Sequence, residues 1–317
     1  MAWTYFVVGS GSIGRRHSAN LKDLGKTVEH LAWRGFDAET FASSLARCDG
    51  KAAVVIATAT DVRSELVDIC ASHNVPMYIE KPLAFTQRDV EAIYGIDIGL
   101  QQRSMVGFML RYHPLTKFLS KFDGNEFFRL QFEIGHDVRL WRENWLFSES
   151  YAARAKGGGV LLDLCHEIDL ARMICPSLAL DGVTSVGHKS FFGVDFASTL
   201  SLVSPNGAIG TVSMDYLSPV LIRSGRLVGR KQNVVFDYVD NSATVSSALG
   251  VKKHRFDLEH NVMFMDIMRD FTILAEDTGG ITLADMPRMD LVRDSCTLIA
   301  QAWEQRKFVG KVEVDFQ

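Results

Sequence analysis

Apolar and polar positions follow two different patterns along this chain, and the first covers roughly the first third. There, short continuous apolar runs are separated by segments whose apolar residues recur at helical spacing. Parallel strands that are covered by helices on both faces have this pattern. Strands are predicted at residues 5–8, 28–33, 52–57, 75–79 and 104–108, with helices at 13–24, 38–46, 64–72 and 86–94. This part is therefore predicted to be a doubly wound α/β domain.

After residue 114 the pattern changes to strands with one polar face. Residues 126–134 alternate between apolar and polar, which is typical of a strand open to water on one side. Further strands are predicted at 196–203, 208–216, 225–228, 233–238 and 243–246, and helices at 115–122, 261–274 and 291–305. Pro205-Asn206-Gly207 is typical of a hairpin turn. We therefore predict two domains, residues 1–115 and 116–317, the second an α+β domain with a large, mostly antiparallel open sheet.

Composition and charge exclude several classes of protein. The net charge of −4 does not fit a nucleic-acid-binding protein. No apolar run approaches the roughly 20 residues of a membrane helix, and the N-terminus lacks the pattern of a secretory signal. The five cysteines are widely spaced and form no Cys-x-x-Cys pair, which argues against a disulfide framework and against a zinc site. We expect a cytoplasmic protein.

The segment Gly9-Ser10-Gly11-Ser12-Ile13-Gly14 follows the first predicted strand and opens the first predicted helix. In this position, Gly9 permits a tight turn, Gly11 lets a pyrophosphate approach the backbone, and Gly14 allows the helix to pack on the strand. The helix N-terminus supplies N–H donors for the phosphates. The segment predicts a dinucleotide site, and the alternative is a turn with a purely structural role.

The type of residue at the end of the second predicted strand indicates whether NAD or NADP is bound. Enzymes that use NAD usually carry Asp or Glu there to bind the ribose 2′-hydroxyl. Here Arg34 occupies that region and the next acid is Asp37. A guanidinium can bind a 2′-phosphate through two charge-assisted hydrogen bonds. NADP(H) is therefore favoured; NAD(H) is the alternative, in which Arg34 is a solvated surface charge.

Three motifs occur in a fixed order along the chain. They are Gly9-Ser10-Gly11-Ser12-Ile13-Gly14-Arg15-Arg16-His17, Glu80-Lys81-Pro82, and the segment 157–169 with the sequence GGGVLLDLCHEID. The set resembles the Gfo/Idh/MocA oxidoreductases, the glucose–fructose oxidoreductase and inositol dehydrogenase group, and residues 107–114 resemble that family's join between domains. The resemblance implies a Rossmann domain and a second domain whose open sheet mediates oligomerisation. It also implies hydride transfer to or from a carbon of a sugar, sugar nucleotide or cyclitol.

The resemblance also implies roles for individual residues. The catalytic residues it implies are Lys81, Asp163 and His166. Cofactor contacts are expected from the segment 9–14, Arg34, Thr58, Glu80 and Lys81. Further candidates for substrate binding are Asp169, Arg111, Tyr112, Trp141, Arg142 and Tyr151. The chain departs from the family at Arg63, where a histidine is frequent, and in an Asp–His spacing of three, so that Asp163 and Asp169 are both candidates for the acid beside His166.

The chemistry of these residues fits proton exchange. On a helix, Asp163, His166 and Asp169 lie along one face, and the glycines at 157–159 let the backbone approach a ligand closely. Either His166 or Lys81 takes the proton of a substrate hydroxyl while hydride moves to the nicotinamide. Lys81 does so if burial disfavours its charged form, and otherwise polarises a carbonyl. No metal is expected, since a third strong ligand is missing near the Asp–His pair.

Three functions follow from this pattern of residues. The first is an NAD(P)-dependent dehydrogenase or reductase that acts on CH–OH groups of a small sugar-like substrate. The second is a non-redox enzyme, similar to a glycosidase, that keeps its cofactor tightly bound. The third is a non-catalytic dinucleotide-sensing protein. With each we expect neither nucleic acid nor membrane as a partner, and a homo-oligomer, dimer or tetramer, formed through the C-terminal sheet.

Overall fold

The structure is a computed structural model that describes residues 2–141, 146–259, 261–277 and 286–315. The chain forms two compact units. The N-terminal unit consists of Met1–Tyr112 and Glu259–Cys296, and the C-terminal unit of His113–Leu258 and Thr297–Gln317. The segment Glu259–Cys296 thus groups with the N-terminal unit, whereas the sequence pattern placed all of 116–317 in one domain.

The N-terminal unit is built on a five-stranded parallel sheet. Its strands are β1 (Thr4–Val8), β2 (Thr27–Leu31), β3 (Ala52–Ile56), β4 (Met77–Ile79) and β5 (Met105–Val106), in the order β2-β1-β3-β4-β5. The helices that follow are α1 (Ser12–Asp23), α2 (Ala38–Arg47), α3 (Arg63–Ser72), α4 (Gln87–Ile93) and α5 (Ile98–Gln102). The strand order reverses at β1 and β3, and open sheets of this kind bind ligands outside the carboxyl ends of their strands at that point.

Local sequence explains these elements. Strand β3 is apolar and buried at every position, as expected for a strand covered on both faces. Three helices begin at polar caps: Asp37, Thr86 and Asp97 each accept a hydrogen bond from a backbone N–H of the first turn. The predicted doubly wound α/β arrangement is confirmed.

The C-terminal unit is built on a nine-stranded mixed sheet. It begins with the helix α6 (Pro114–Leu119), and α7 (Val160–Asp163) and α8 (His166–Ile174) follow the first strand. The strands are β6 (Phe127–Gly135), β7 (Ala179–His188), β8 (Asp195–Ser204), β9 (Ala208–Asp215), β10 (Ile222–Gly229), β11 (Gln232–Asp237), β12 (Ser242–Ser247), β13 (Gly250–Arg255) and, after the helices α9 (Val262–Glu276) and α10 (Arg293–Glu304), β14 (Lys307–Val312). Their order is β13-β12-β11-β10-β6-β9-β8-β7-β14. The pairs β6–β9 and β7–β14 are parallel and the others antiparallel, so the predicted mostly antiparallel sheet is confirmed.

The predicted hairpin joins β8 to β9. Ser204 pairs with Ala208, and Gly207 in the turn has a φ of +84°, a conformation that favours glycine. Three strands were not predicted: β7, β13 and β14. Strand β13, with the sequence GVKKHR, is exposed at almost every position and has no apolar alternation to read. It lies at one end of the sheet and β14 at the other, where charged side chains discourage further pairing.

The helix α9 completes the core of the N-terminal unit. Its buried residues Ile267, Met268 and Phe271 belong to one apolar cluster with Tyr5 of β1 and Tyr78 of β4. These side chains recur at helical spacing, which is why the sequence marks this segment as a core-facing helix. In the ranges that the structure describes, no helix has the length and apolar character needed to cross a membrane.

Candidate functional site

The turn between β1 and α1 contains three glycines with different surroundings. Gly9 has a φ of +126°, and a Cβ there would lie 2.5 Å from the carbonyl oxygen of Ala57. A Cβ on Gly14 would lie 1.9 Å from the carbonyl oxygen of Gly9. By contrast, no atom lies within 4 Å of the Cβ position of Gly11, which is exposed and caps α1. Gly9 and Gly14 are therefore required by close packing within the protein, whereas Gly11 leaves space for a ligand at a helix N-terminus.

Thr58 follows β3 and lies against this turn. Its backbone nitrogen is 3.2 Å from the Cβ position of Gly9. The Thr58 hydroxyl is buried and has no hydrogen-bond partner in the part of the chain that the structure describes. A buried hydroxyl without a partner costs free energy, and a polar group of a ligand would remove that cost. Thr58 and the open face of Gly11 thus fit a bound dinucleotide.

The end of β2 carries the exposed Arg34, which lines a cavity of about 370 Å³ with residues of β2 and α2. Asp37 is engaged in capping α2: its carboxylate accepts a hydrogen bond from the backbone N–H of Thr40 at 2.7 Å, which lowers the pKa of Asp37. His30 of β2 ties this strand to the glycine turn through a hydrogen bond of 3.0 Å between Nε2 and the carbonyl oxygen of Gly9. Of the charged residues that line this cavity, Asp37 is thus used as a helix cap, while Arg34 and Glu29 are not.

Lys81 follows β4 and is next to the buried carboxylate of Glu80. Glu80 Oε1 lies 2.7 Å from Nε2 of His17 and accepts a hydrogen bond of 3.2 Å from the hydroxyl of Tyr78. Its Oε2 accepts the backbone N–H of Lys81 at 3.2 Å. Burial acts to raise the pKa of Glu80, but the hydrogen bond with His17 and the charges of His17, Lys81 and Arg63 together outweigh it, so that this pKa is lowered. Since His17 belongs to α1, the helix that starts at the glycine turn also supports the Lys81 segment.

The other catalytic candidates lie in the C-terminal unit. Asp163 ends α7 and is buried, and its two carboxylate oxygens accept hydrogen bonds from two phenols. Tyr151 donates to Oδ1 at 2.5 Å, and Tyr216 donates to Oδ2 at 2.6 Å. Burial and the nearby Asp163 raise the pKa of Tyr216 well above its usual value, so this phenol stays protonated and remains a donor. The ring of Trp141 packs edge-on against Tyr216 at a centroid distance of 5.4 Å.

His166 and Asp163 do not share one helix. Leu164 and Cys165 separate α7 from α8, and Leu164 has φ −104° and ψ 29°, outside the helical region. The single helix expected from the three-residue spacing is therefore wrong. His166 is the first residue of α8, and Asp169 lies one turn later in the same helix; both are buried.

The glycine stretch before α7 contacts protein atoms. Gly159 has a φ of +101°, and a Cβ on it would lie 2.0 Å from Oδ1 of Asp195. A Cβ on Gly158 would lie 2.4 Å from the carbonyl oxygen of Arg154, and the carbonyl of Gly158 accepts the indole N–H of Trp303 at 3.2 Å. Gly158 and Gly159 thus allow close packing within the unit, and the approach of this backbone to a ligand stays a prediction.

Asp195 holds the start of α7 in place. Its Oδ2 accepts the backbone N–H of Leu161 at 3.0 Å and the hydroxyl of Ser198 at 2.9 Å. Its Oδ1 forms an ion pair with Arg306, which follows α10. The carboxylate therefore caps the helix that ends in Asp163.

The remaining candidates have separate environments. Arg111 and Tyr112 are buried in the N-terminal unit, and the Tyr112 hydroxyl donates to Asp270 at 2.7 Å. Trp141 lies in the C-terminal unit, and its buried indole N–H has no hydrogen-bond partner among the described residues. Arg142 lies outside the described residues. Within the described ranges, no group of three or more His, Cys, Asp or Glu side chains is placed to hold a metal ion.

The structure thus assembles the candidates in two groups. The segment 9–14, Thr58, Glu80 and Lys81 lie at the carboxyl edge of the parallel sheet, and Arg34 lies at the end of β2. Asp163, His166, Asp169, Trp141 and Tyr151 belong to the C-terminal unit. Sequence reasoning missed His17 and Tyr216. His17 is recognisable by its place three residues after Gly14, whereas no local pattern marks Tyr216.

Solved structures share this fold over almost the whole chain. UDP-N-acetylglucosamine 3-dehydrogenase GnnA from Acidithiobacillus ferrooxidans superimposes with a TM-score of 0.71 at 17% identity, over 96% of both chains. An oxidoreductase from Agrobacterium radiobacter in complex with NAD+, L-tartaric acid and magnesium gives 0.76 at 18% identity, over 96% of both chains. An inositol dehydrogenase homolog from Azotobacter vinelandii complexed with NAD+ gives 0.75 at 15% identity, over 96% of this chain and 95% of the other. Neither a protein-family model nor a curated protein matches the sequence.

Proposed function

We propose that this chain, which has the fold of the Gfo/Idh/MocA-type oxidoreductases, is an NADP(H)-dependent dehydrogenase or reductase of a sugar, sugar nucleotide or cyclitol. The observation that carries the proposal is the carboxyl edge of the parallel sheet. An open glycine turn, a buried hydroxyl with no hydrogen-bond partner among the described residues, and a lysine loop lie together there. The two NAD+ complexes and the dehydrogenase among the similar structures support a nicotinamide cofactor and an alcohol substrate.

In this proposal the cofactor is held by backbone more than by side chains. The N–H groups at the start of α1, next to Gly11, bind the pyrophosphate, and the hydroxyl of Thr58 binds a further polar group. Bound NADP(H) supplies or accepts the hydride. Gly9 and Gly14 keep the turn tight enough for the helix to start at the phosphates.

Two groups are proposed to exchange the proton of the substrate hydroxyl. Lys81 is held on a segment whose backbone N–H donates to the ionised Glu80, so that the lysine has a defined position. His166 is the second candidate, with Asp163 or Asp169 as its acidic neighbour. A positioned acid or base of this kind contributes about 10² to 10⁴ in rate, so the loss of the group that is used is easy to detect.

The preference for NADP(H) is proposed from Arg34. Its guanidinium is exposed beside a cavity at the end of β2, and the nearby Asp37 is engaged as a helix cap. Two charge-assisted hydrogen bonds from a guanidinium suit the 2′-phosphate that distinguishes NADP from NAD. A ribose 2′-hydroxyl would gain much less from the same side chain.

Fluorescence titration with NADPH and with NADH tests this function first. We expect NADPH to bind more tightly to the wild type. Arg34→Ala should weaken NADPH binding by about 10- to 100-fold, the value of a charge-assisted hydrogen bond, and leave NADH binding unchanged. Arg47→Ala is the matched control, because this arginine of α2 bonds to Ser44. Equal binding of the two cofactors would remove the role of Arg34, and binding of neither would contradict a dinucleotide function.

A turnover screen with sugars, sugar nucleotides and cyclitols then tests the reaction. Net oxidation or reduction of the cofactor supports a dehydrogenase. Conversion of a substrate without a net change in NADP(H) would support the alternative of a non-redox enzyme with a retained cofactor. Binding without conversion of any substrate would favour a dinucleotide-sensing protein.

The proposal extends to assembly and location. We expect a homo-oligomer formed through the C-terminal sheet, whose residues Phe128, Ile209 and Val235 are exposed. Such side chains on a broad sheet face are suited to association with a second copy. Light scattering coupled to gel filtration measures the subunit number, and a monomer would contradict this part of the proposal. A cytoplasmic location is part of the same expectation.

A further inference from the structure

The side chain of Arg63 lies buried at the carboxyl edge of the parallel sheet. Arg63 is the first residue of α3 and is 4% exposed. Its Nε and Nη2 donate to the carbonyl oxygen of Thr58 at 3.2 and 2.8 Å. Its Nη1 donates to the carbonyl oxygens of Glu80 and Pro82. One guanidinium therefore joins the segment after β3 to the segment after β4.

The two carbonyl groups bound by Nη1 lie on either side of Lys81. Because peptide units are planar, holding the carbonyls of Glu80 and Pro82 restricts the backbone of the lysine between them. The N–H of Lys81 is held separately by the carboxylate of Glu80. The peptide unit before Lys81 and the peptide unit after Pro82 are thus both held.

The third carbonyl links this loop to the dinucleotide turn. Thr58 packs against Gly9, so a guanidinium bonded to the Thr58 carbonyl also sets the distance from Lys81 to the glycine turn. The Thr58 hydroxyl is not needed for this contact and stays available to a ligand. Arg63 therefore bonds both to the segment that packs against the glycine turn and to the segment that contains Lys81.

Arginine is the residue suited to this arrangement. Its planar fork carries five N–H donors on three nitrogens, and four hydrogen bonds from it reach three carbonyls. Lysine has its three donors on a single atom and cannot span the same carbonyls. A histidine, which is frequent here in the family that the sequence resembles, has two ring nitrogens. The contact therefore requires the guanidinium of Arg63.

We propose that Arg63 is a positioning residue, which sets the place of Lys81 relative to the dinucleotide turn without contacting substrate or cofactor. The inference rests on the proposed function, because it gives Lys81 a part in the reaction. It predicts that loss of the fork changes the rate of the chemical step more than it changes substrate binding, since small displacements of a catalytic group lower kcat strongly.

The test compares Arg63→Ala and Arg63→Lys with the wild type and with Arg103→Ala. Arg103 belongs to the same unit and donates to the side chain of Asn74, so it is a matched control for the loss of an arginine. We expect faster hydrogen exchange in peptides covering residues 58–60 and 80–83 of both Arg63 variants. At saturating NADPH, kcat should fall by about 10²-fold with little change in substrate KM. Added guanidinium should restore part of the activity of Arg63→Ala.

Several outcomes would overturn the inference. One is an unchanged kcat in a folded Arg63 variant; another is faster exchange throughout the N-terminal unit, which indicates a general structural role. If Arg63→Ala does not fold, Arg63→Lys decides the question, because it keeps the charge and removes the fork. A wild type that binds no dinucleotide and converts no substrate would contradict the proposed function itself. An active wild type with an equally active Arg63→Lys would contradict only the role of Arg63.

Discussion

Two buried carboxylates, one in each unit, lie next to candidate catalytic residues and are held by different partners. Glu80 is bonded by an imidazole, a phenol and the backbone N–H of Lys81, and its pKa is lowered chiefly by His17, against the effect of burial. Asp163 accepts hydrogen bonds from the phenols of Tyr151 and Tyr216. The named partners of Glu80 thus include an imidazole, which can carry positive charge, and those of Asp163 include two neutral phenols.

The difference indicates two uses of a buried acid. A carboxylate that is bonded by an imidazole, a phenol and a backbone N–H is fixed in position, which suits a group that holds the Lys81 segment. Hydroxyl donors orient a carboxylate without adding charge, which suits a group that takes part in proton exchange. We therefore expect changes at Glu80 to appear first in stability, and changes at Asp163 to appear first in turnover.

The largest expected effect is that of Asp163→Asn on turnover. The amide keeps the shape of the side chain and removes its charge, so kcat should fall by about 10² to 10⁴-fold, the range for a positioned acid or base. NADPH binding should not change. Initial rates at saturating cofactor measure the effect, with Asp181→Asn on the exposed surface of β7 as the control. Full activity of Asp163→Asn would transfer the acidic role to Asp169.

The next effect in size is that of Glu80→Gln on stability. Removing one member of a buried pair should lower the free energy of unfolding by about 3 kcal/mol at neutral pH. The folded-state pKa of Glu80 lies below the unfolded value of about 4.3, so the unfolded state binds more protons as the pH falls through this range. The stabilisation is therefore complete above pH ~4.3 and is lost below it. Urea denaturation of both proteins should give curves that converge at acid pH, and a pH-independent difference would disagree with this assignment.

Two glycines of the turn between β1 and α1 distinguish an effect on packing from an effect on cofactor binding in the N-terminal unit. Gly14→Ala places a methyl group 1.9 Å from a carbonyl oxygen, and we expect it to lower the free energy of unfolding by about 1 to 3 kcal/mol. Gly11→Ala meets open space, so its stability should match the wild type while NADPH binding weakens. Thermal unfolding and cofactor titration of the two variants measure both effects. Unchanged NADPH binding in Gly11→Ala would mean that the ligand does not approach this turn.

The smallest expected effect concerns His113, a buried ionisable group of the same unit as Asp163. Burial lowers its pKa to about 4, against the opposing effect of the hydrogen bond that His113 Nε2 donates to Oδ1 of Asn241. Since its unfolded pKa is about 6.5, the unfolded state binds more protons between these values, and stability falls as the pH falls through them. We expect a loss of about 1 to 2 kcal/mol between pH 7 and pH 5.

His113→Asn is the variant that isolates this contribution. Asparagine can still cap α6 by accepting the backbone N–H of Leu115, as His113 Nδ1 does at 3.0 Å. Its stability should therefore be less sensitive to pH in this window than that of the wild type. If denaturation curves of the two proteins keep the same pH dependence, the titration belongs to another group.

The sequence predicts those parts of the fold that are determined by residues close together along the chain. The parallel strands are continuous apolar runs, and the glycine turn is recognisable because a strand precedes it and a helix follows it. The hairpin at Gly207 has a local turn signal. Strand β13 carries no such signal, because an exposed edge strand is specified by its partner and not by its own apolar pattern.

The site depends on contacts that sequence patterns do not encode. Tyr216 and Asp163 are 53 residues apart, and Arg63 reaches backbone carbonyls, which any residue possesses. The break at Leu164 is also invisible in the pattern, because the residues on both sides keep helical spacing. Motifs therefore locate Lys81 and His166, whereas the partners that hold the nearby carboxylates come from the fold.

The contacts of Trp303 and Arg306 have a consequence for synthesis of the chain on the ribosome. Trp303 bonds to Gly158, 145 residues earlier, and Arg306 pairs with the Asp195 that caps α7. At about 5 to 20 residues per second, translation takes roughly 7 to 30 seconds between these two regions. The N-terminal unit also depends on a segment that is synthesised much later, since Tyr5 bonds to Glu276 of α9, 271 residues further along the chain. Both units are thus completed only after Glu276 and Arg306 have been synthesised, and the nascent chain exposes the unfinished apolar core until then.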